Sequence, residues 1–108
     1  MLARQQGAVI NISSISRRHS VGGDTIHAAS RHALSGFTAS LFEDVREFGV
    51  KVSCIMPGFV DTPMTAKLRR RHEGMIGPED IAACVDFVPA SSARSCPTEI
   101  VIRPQLAP

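Results

Sequence analysis

Three side chains in this sequence bring a hydroxyl, an imidazole and a guanidinium to spacings at which they can work together. His27 and Arg31 are four residues apart, so within a helix they project from the same face. An imidazole gains or loses a proton near neutral pH, whereas a guanidinium donates several hydrogen bonds and keeps its charge. Ser14 lies thirteen residues before His27 and supplies a hydroxyl that can bind a carbonyl oxygen. These residue types permit proton transfer and hydrogen bonding at one shared site.

Each of these residues also has an ordinary structural interpretation. His27 can simply begin a helix, and Arg31 can be a solvated residue on its surface. The Ser14 hydroxyl can satisfy backbone groups where a strand ends. The sequence leaves both interpretations open.

The first half of the chain predicts a strand, a loop and a helix. The β-branched apolar run from Gly7 to Ser14 is typical of a strand buried on both faces. Residues 15–26 contain two adjacent glycines and several polar residues, which predict a loop. Residues 27–48 repeat apolar side chains every three or four positions, which predicts a helix; the repeat consists of Ala33 or Leu34, Phe37, Leu41 and Val45.

The second half predicts a strand, a helix and a strand, at residues 50–56, 78–88 and 99–103. Strands alternating with helices indicate an α/β fold with a parallel sheet and right-handed crossovers. We expect a partial Rossmann-like sheet of about three strands with two to three helices. In such sheets reactive residues gather at the carboxyl ends of the strands. Ser14 and the Pro57–Gly58 turn both fall there, which supports a site at that end.

Composition indicates one globular domain over residues 1–108, with 44% hydrophobic and 20% charged residues. A formal charge of +2 does not indicate nucleic acid or an anionic membrane as a partner. The sequence also lacks an apolar run of about 18 residues, so we expect no membrane span. The basic stretch KLRRRH at residues 67–72 is interpreted as a solvated helix face rather than a phosphate or RNA site.

The cysteines and histidines bear on the cellular compartment and on metals. Cys54, Cys84 and Cys96 are odd in number and lack the CxxC spacing, which favours reduced thiols and a cytoplasmic location. His27 and His32 are five residues apart and do not share a helix face well. We therefore expect no metal site.

Four stretches in register resemble the short-chain dehydrogenase/reductase family. NISS at residues 11–14 ends a strand as the family's serine strand does, and HAASR at 27–31 resembles the family's Tyr-x-x-Ser-Lys helix opening. PGFVDT at 57–62 is similar to its Pro-Gly-x-x-x-Thr turn, and PEDIA at 78–82 to a later helix. The resemblance covers about residues 7–104 and corresponds to the C-terminal half of the family's doubly wound fold.

The resemblance implies a role for each matched position. Ser14, His27 and Arg31 stand where the family has its catalytic serine, tyrosine and lysine. There the tyrosine transfers a proton while hydride passes to or from NAD or NADP, and the lysine holds the ribose hydroxyls. The implied cofactor-binding residues are Arg31, Pro57, Gly58, Val60 and Thr62. The last four can equally form an ordinary strand-ending turn.

The departures from the family decide how the function is predicted. The chain contains no tyrosine, and no glycine-rich turn between a strand and a helix is present to cradle a pyrophosphate. We therefore expect an NAD(P)-dependent oxidoreductase of alcohols or carbonyls by descent, inactive as this truncated chain. The alternative is a non-catalytic remnant that forms a homo-oligomer or binds a partner through the helix from Ala28 to Phe48.

Overall fold

A buried central strand organises the structure, a computed structural model that describes residues 1–15, 22–67 and 72–107. The elements are β1 (Gly7–Ile12), α1 (Thr25–Val45), β2 (Val50–Pro57), α2 (Pro78–Ala90) and β3 (Glu99–Ile102), with 3₁₀ turns at Arg46–Phe48 and His72–Gly74. The three strands are parallel in the order β1-β2-β3. The α/β fold class and the parallel sheet predicted from the sequence are therefore confirmed.

The central strand β2 provides most of the core. Its apolar residues Val52, Ile55 and Met56 have no exposed surface, because strands flank it on both sides and α1 and α2 pack on it. This matches the continuous apolar run expected of a parallel strand covered on both faces.

The prediction that β1 is buried on both faces was wrong. Its residues are only half-buried, and the Ile12 side chain keeps 41% of its surface exposed. β1 is the outer strand of the described sheet, with β2 as its one hydrogen-bonded neighbour there. The strand also ends at Ile12 rather than Ser14, and β3 ends at Ile102, one residue earlier than predicted.

Helix α1 begins at Thr25, two residues before the predicted start, and gives way to a 3₁₀ turn after Val45. Its buried residues are Ala28 and Thr38. Phe37, which the apolar repeat placed on the core side, is 58% exposed. Thr38 lies against the sheet instead, where its hydroxyl accepts a 2.9 Å hydrogen bond from Asn11 Nδ2 of β1.

Gly49 forms the turn that leads from α1 and its 3₁₀ turn into β2. We expect the stability of the protein to be sensitive to substitution at this position. Its φ of 71° is left-handed, and a Cβ there would meet the carbonyl oxygen of Gln5. We expect Gly49→Ala to lower the free energy of unfolding by more than about 1–2 kcal/mol, the cost of the backbone conformation alone. Gly36→Ala is the control, because its Cβ would meet nothing within 4 Å. Because Gly36 lies in a helix interior, we expect Gly36→Ala to raise the free energy of unfolding by about 0.5–1 kcal/mol. Urea unfolding compares the two, and equal effects would contradict this account.

Helix α2 begins as its sequence predicts, with Pro78 at the first position and Asp80 accepting a 2.8 Å hydrogen bond from the Gly77 backbone N–H. It extends two residues beyond the predicted end at Val88, to Ala90. Among the described residues, no helix is both long enough and apolar enough to cross a membrane. Most of the basic stretch at residues 67–72 lies outside the described part of the chain.

Candidate active site at the carboxyl end of the sheet

Arg31 attaches helix α1 to the end of strand β1. Its Nη1 donates a 3.3 Å hydrogen bond to the carbonyl oxygen of Ile12, the last residue of β1. In return, the buried Ser13 hydroxyl lies 3.4 Å from the Arg31 carbonyl oxygen and donates to it. Two contacts in opposite directions therefore hold the opening turns of α1 against the carboxyl end of the sheet.

The Arg31 side chain keeps a further donor. Its Nε is buried and has no hydrogen-bond partner among the described residues. A buried N–H without a partner is costly, so the atom suits a hydrogen-bond acceptor supplied by a ligand. The contact with Ile12 thus uses only part of the hydrogen-bonding capacity of the Arg31 side chain.

His27 lies one helical turn before Arg31, on the same face of α1. Its side chain is exposed, and its carbonyl oxygen accepts a 2.8 Å hydrogen bond from the Ser30 hydroxyl. Ser14 is half-buried and directly follows Ser13, which contacts Arg31. The structure thus places the three predicted positions at the end of β1 and the beginning of α1, where the Ser13 hydroxyl contacts the helix.

The turn after β2 lies beside the end of β3. The Gly58 backbone N–H donates a 2.8 Å hydrogen bond to the carbonyl oxygen of Ile102. A cleft of about 480 Å³ opens here. Its lining includes Ile15, Gly58, Phe59, Arg103 and Leu106. A cleft with one cation among its described lining residues therefore adjoins the predicted cofactor turn at the same end of the sheet.

Thr65 holds the remainder of that turn and was not singled out from the sequence. Its hydroxyl donates a 2.6 Å hydrogen bond to the Val60 carbonyl oxygen and accepts one of 3.0 Å from the Thr62 backbone N–H. The signal was the spacing of three residues between two threonines after a proline-glycine turn, which permits a local hydroxyl–backbone contact. Ser13 carried no such signal, because adjacent serines at a strand end look equivalent in sequence.

The described residues contain no group of three or more His, Cys, Asp or Glu side chains placed to hold a metal ion. The arrangement instead offers hydroxyl, imidazole and guanidinium groups at the end of the sheet where this cleft opens. Such groups can bind and protonate a carbonyl oxygen.

Comparison with known proteins decides the family. A sequence model described as short chain dehydrogenase matches residues 1–73, which include β1, α1, β2 and the Pro57–Gly58 turn. The chain belongs to the short-chain dehydrogenase family. The resemblance seen in the four sequence stretches is therefore confirmed at the level of the family.

Proteins of known sequence or structure match over 82% to 97% of this chain. An uncharacterized oxidoreductase from Staphylococcus aureus (strain MW2) is 35% identical over 96% of this chain and 45% of its own length. A 3-oxoacyl-(acyl-carrier-protein) reductase from Chlamydia trachomatis is 36% identical over 82% of this chain and 40% of its own. The crystal structure of a betaketoacyl-(ACP) reductase from Bacteroides thetaiotaomicron superimposes with a TM-score of 0.81 at 25% identity, covering 97% of this chain and 43% of that one. The chain thus spans less than half the length of these relatives.

Proposed function

We propose that this chain forms the substrate- and nicotinamide-facing part of an NAD- or NADP-dependent oxidoreductase site for an alcohol or carbonyl, with turnover kept very low by the imidazole at position 27. The observation that carries the proposal is the attachment of Arg31 to the carboxyl end of β1. It holds the guanidinium at the end of β1, two residues before Ser14 in the chain, and His27 lies one helical turn earlier on the same face of α1. The three free thiols support a reducing, cytoplasmic setting.

The residues present fit the ribose end of a nicotinamide dinucleotide. The buried Arg31 Nε without a protein partner suits a ribose hydroxyl, and Arg31 carries no proton that it can release. Pro57, Gly58, Val60 and Thr62 line the turn that would face the nicotinamide carboxamide. When bound, the cofactor supplies the hydride. The protein's part is to orient the substrate carbonyl by Ser14 and to exchange one proton with its oxygen through His27.

Low turnover follows from the side chain at position 27. The family places a phenol there, and this chain contains no tyrosine. An imidazole is shorter, and the His27 side chain is exposed to solvent. Positioned general acids contribute about 10²–10⁴-fold to rate, so a misplaced acid loses a factor of that size. The 3-oxoacyl reductases among the relatives make a 3-oxoacyl thioester the first substrate to try.

Titration of NADH and NADPH, followed by nicotinamide fluorescence, tests the binding part of the proposal. We expect saturable binding that Arg31→Ala weakens about tenfold to a hundredfold, the loss of one charge-assisted hydrogen bond. Lys67→Ala is the matched control, since Lys67 is exposed and has no role in the site. Equal losses in the two variants, or no saturable binding up to millimolar cofactor, would overturn the proposal.

One observation favours a second function, an interaction module built on α1. Phe37 is 58% exposed on this helix, and Ile26 is 86% exposed at its start. Exposed apolar side chains on one element mark surfaces that associate. Failure to bind cofactor in the same titration, together with a mass that rises with protein concentration in sedimentation equilibrium, would favour this homo-oligomeric role.

A further inference from the structure

A second cleft, of about 630 Å³, lies at the amino end of the sheet, opposite the candidate active site. It is bounded by the residues before β1, by the start of β2 and by the segment after α2. In a parallel sheet the amino ends of the strands share one end and the carboxyl ends the other. Nothing in the proposed oxidoreductase site uses this cleft.

The charged side chains described in the lining of this cleft are all cationic. Four cationic side chains line it, and no acidic residue is among the described residues of its lining; the cations are Arg4, Arg46, Lys51 and Arg94. Because the whole chain carries a formal charge of only +2, the residues outside the lining carry a net −2. A cleft lined by one sign of charge focuses its field and attracts counter-ions.

Two of these cations are fixed in place. Lys51 Nζ donates to the carbonyl oxygens of Ser92, at 2.7 Å, and Ser95. Both acceptors are neutral, so the ammonium keeps its positive charge unbalanced. Arg46 lies over the Phe42 ring with 4.5 Å from its guanidinium carbon to the ring centroid, and it pairs with Glu43 at 3.1 Å.

The other two cations can close on a ligand. Arg4 precedes β1 and Arg94 follows α2, and both are exposed on the border of the cleft. Ser95 adds a hydroxyl to the lining. A fixed ammonium in the same cleft as two exposed guanidinium forks can bind an anion that bears several oxygens around one centre.

We propose that this cleft binds a small phosphate-bearing anion, with Lys51 as the fixed cation and Arg4 and Arg94 as its bidentate ligands. Phosphate groups match guanidinium forks in geometry and carry more charge than a single carboxylate. The volume of about 630 Å³ accommodates a diphosphate or a phosphorylated metabolite. The site is independent of the oxidoreductase proposal, since it lies at the opposite end of the sheet.

Calorimetric titration of the protein with inorganic pyrophosphate, at constant ionic strength, tests this site. We expect saturable binding that Arg4→Gln and Arg94→Gln each weaken and that the double variant weakens by about 10–100-fold, since each change removes a charge-assisted contact. Lys67→Gln is the matched control, which removes one cation beyond the carboxyl end of β2 and should leave the affinity unchanged. Circular dichroism verifies that each variant keeps its helices.

The outcomes separate the proposal from general attraction of anions. Tighter binding of ADP than of pyrophosphate, lost in the same double variant, would support the site with a nucleotide as the source of the phosphate. Binding of pyrophosphate but not ADP would support it with a free polyphosphate. Absence of saturation, or an equal loss in Lys67→Gln and Arg4→Gln, would overturn it.

Discussion

Replacing His27 by tyrosine and Arg31 by lysine raises turnover of a 3-oxoacyl thioester by about 10²–10⁴-fold, the range that a positioned general acid contributes. The two residues share one face of α1, so the restored phenol and ammonium project from the same side of the helix. The assay uses a hybrid in which this chain replaces the matched segment of the Staphylococcus aureus relative. Consumption of NADH or NADPH reports the rate, with the unsubstituted hybrid as the reference.

A phenylalanine variant isolates the contribution of the phenol hydroxyl. His27→Phe with Arg31→Lys carries the same ring and the same lysine but no ionisable group at position 27. We expect its rate to stay at the level of the unsubstituted hybrid. A rate equal to that of the tyrosine variant would show that position 27 transfers no proton, and the site would then lie elsewhere. The thermal transition of each hybrid must first match that of the reference.

The largest expected effect on stability follows truncation of Ile55. The Ile55 side chain is fully buried, at 0% exposure. In the sheet, Ile55 pairs with Ile12 of β1 on one side and with Ile100 of β3 on the other. We expect Ile55→Ala to lower the free energy of unfolding by about 2–5 kcal/mol through lost burial and the cavity left behind. In a small domain, a loss of this size removes much of the native stability.

Ile26→Ala is the matched control for that substitution. It makes the same chemical change at a side chain that is 86% exposed in the first turn of α1. We expect a change within about 0.5 kcal/mol. Urea unfolding followed by circular dichroism measures both variants. Similar midpoints for the two would mean that β2 is not the core of the folded protein.

The sequence predicted the order and type of β1, α1, β2, α2 and β3, because apolar periodicity and the glycine and proline signals agree along this chain. It failed where tertiary contacts decide between neighbouring residues. Phe37 and Thr38 are about 100° apart around α1, and hydropathy favours Phe37 for the core. The hydrogen bond from Asn11 instead holds Thr38 against the sheet, and no single-residue preference contains that contact.

The site itself stays a prediction, and the sequence did not predict its contacts. The i,i+4 spacing of His27 and Arg31 and the strand end at Ser14 predict a site at the carboxyl end of a parallel sheet. The sequence did not predict that Arg31 would contact the Ile12 carbonyl, because that bond depends on how α1 crosses β1. The hydrogen bond from Ser13 to the Arg31 carbonyl oxygen likewise depends on how α1 crosses β1.

The register of the sheet has a consequence for how fast this chain can fold. Gly7 pairs with Val50, 43 residues later, and Cys54 pairs with Glu99, 45 residues later. Closing each loop costs roughly 3 kcal/mol of chain entropy by the logarithmic length relation. Neither strand pair of the described sheet can therefore form as a local hairpin, because the segment that joins its two strands contains a helix. Assembly of the sheet should thus limit the folding rate, and refolding should be slower than the microsecond-to-millisecond folding of helical bundles.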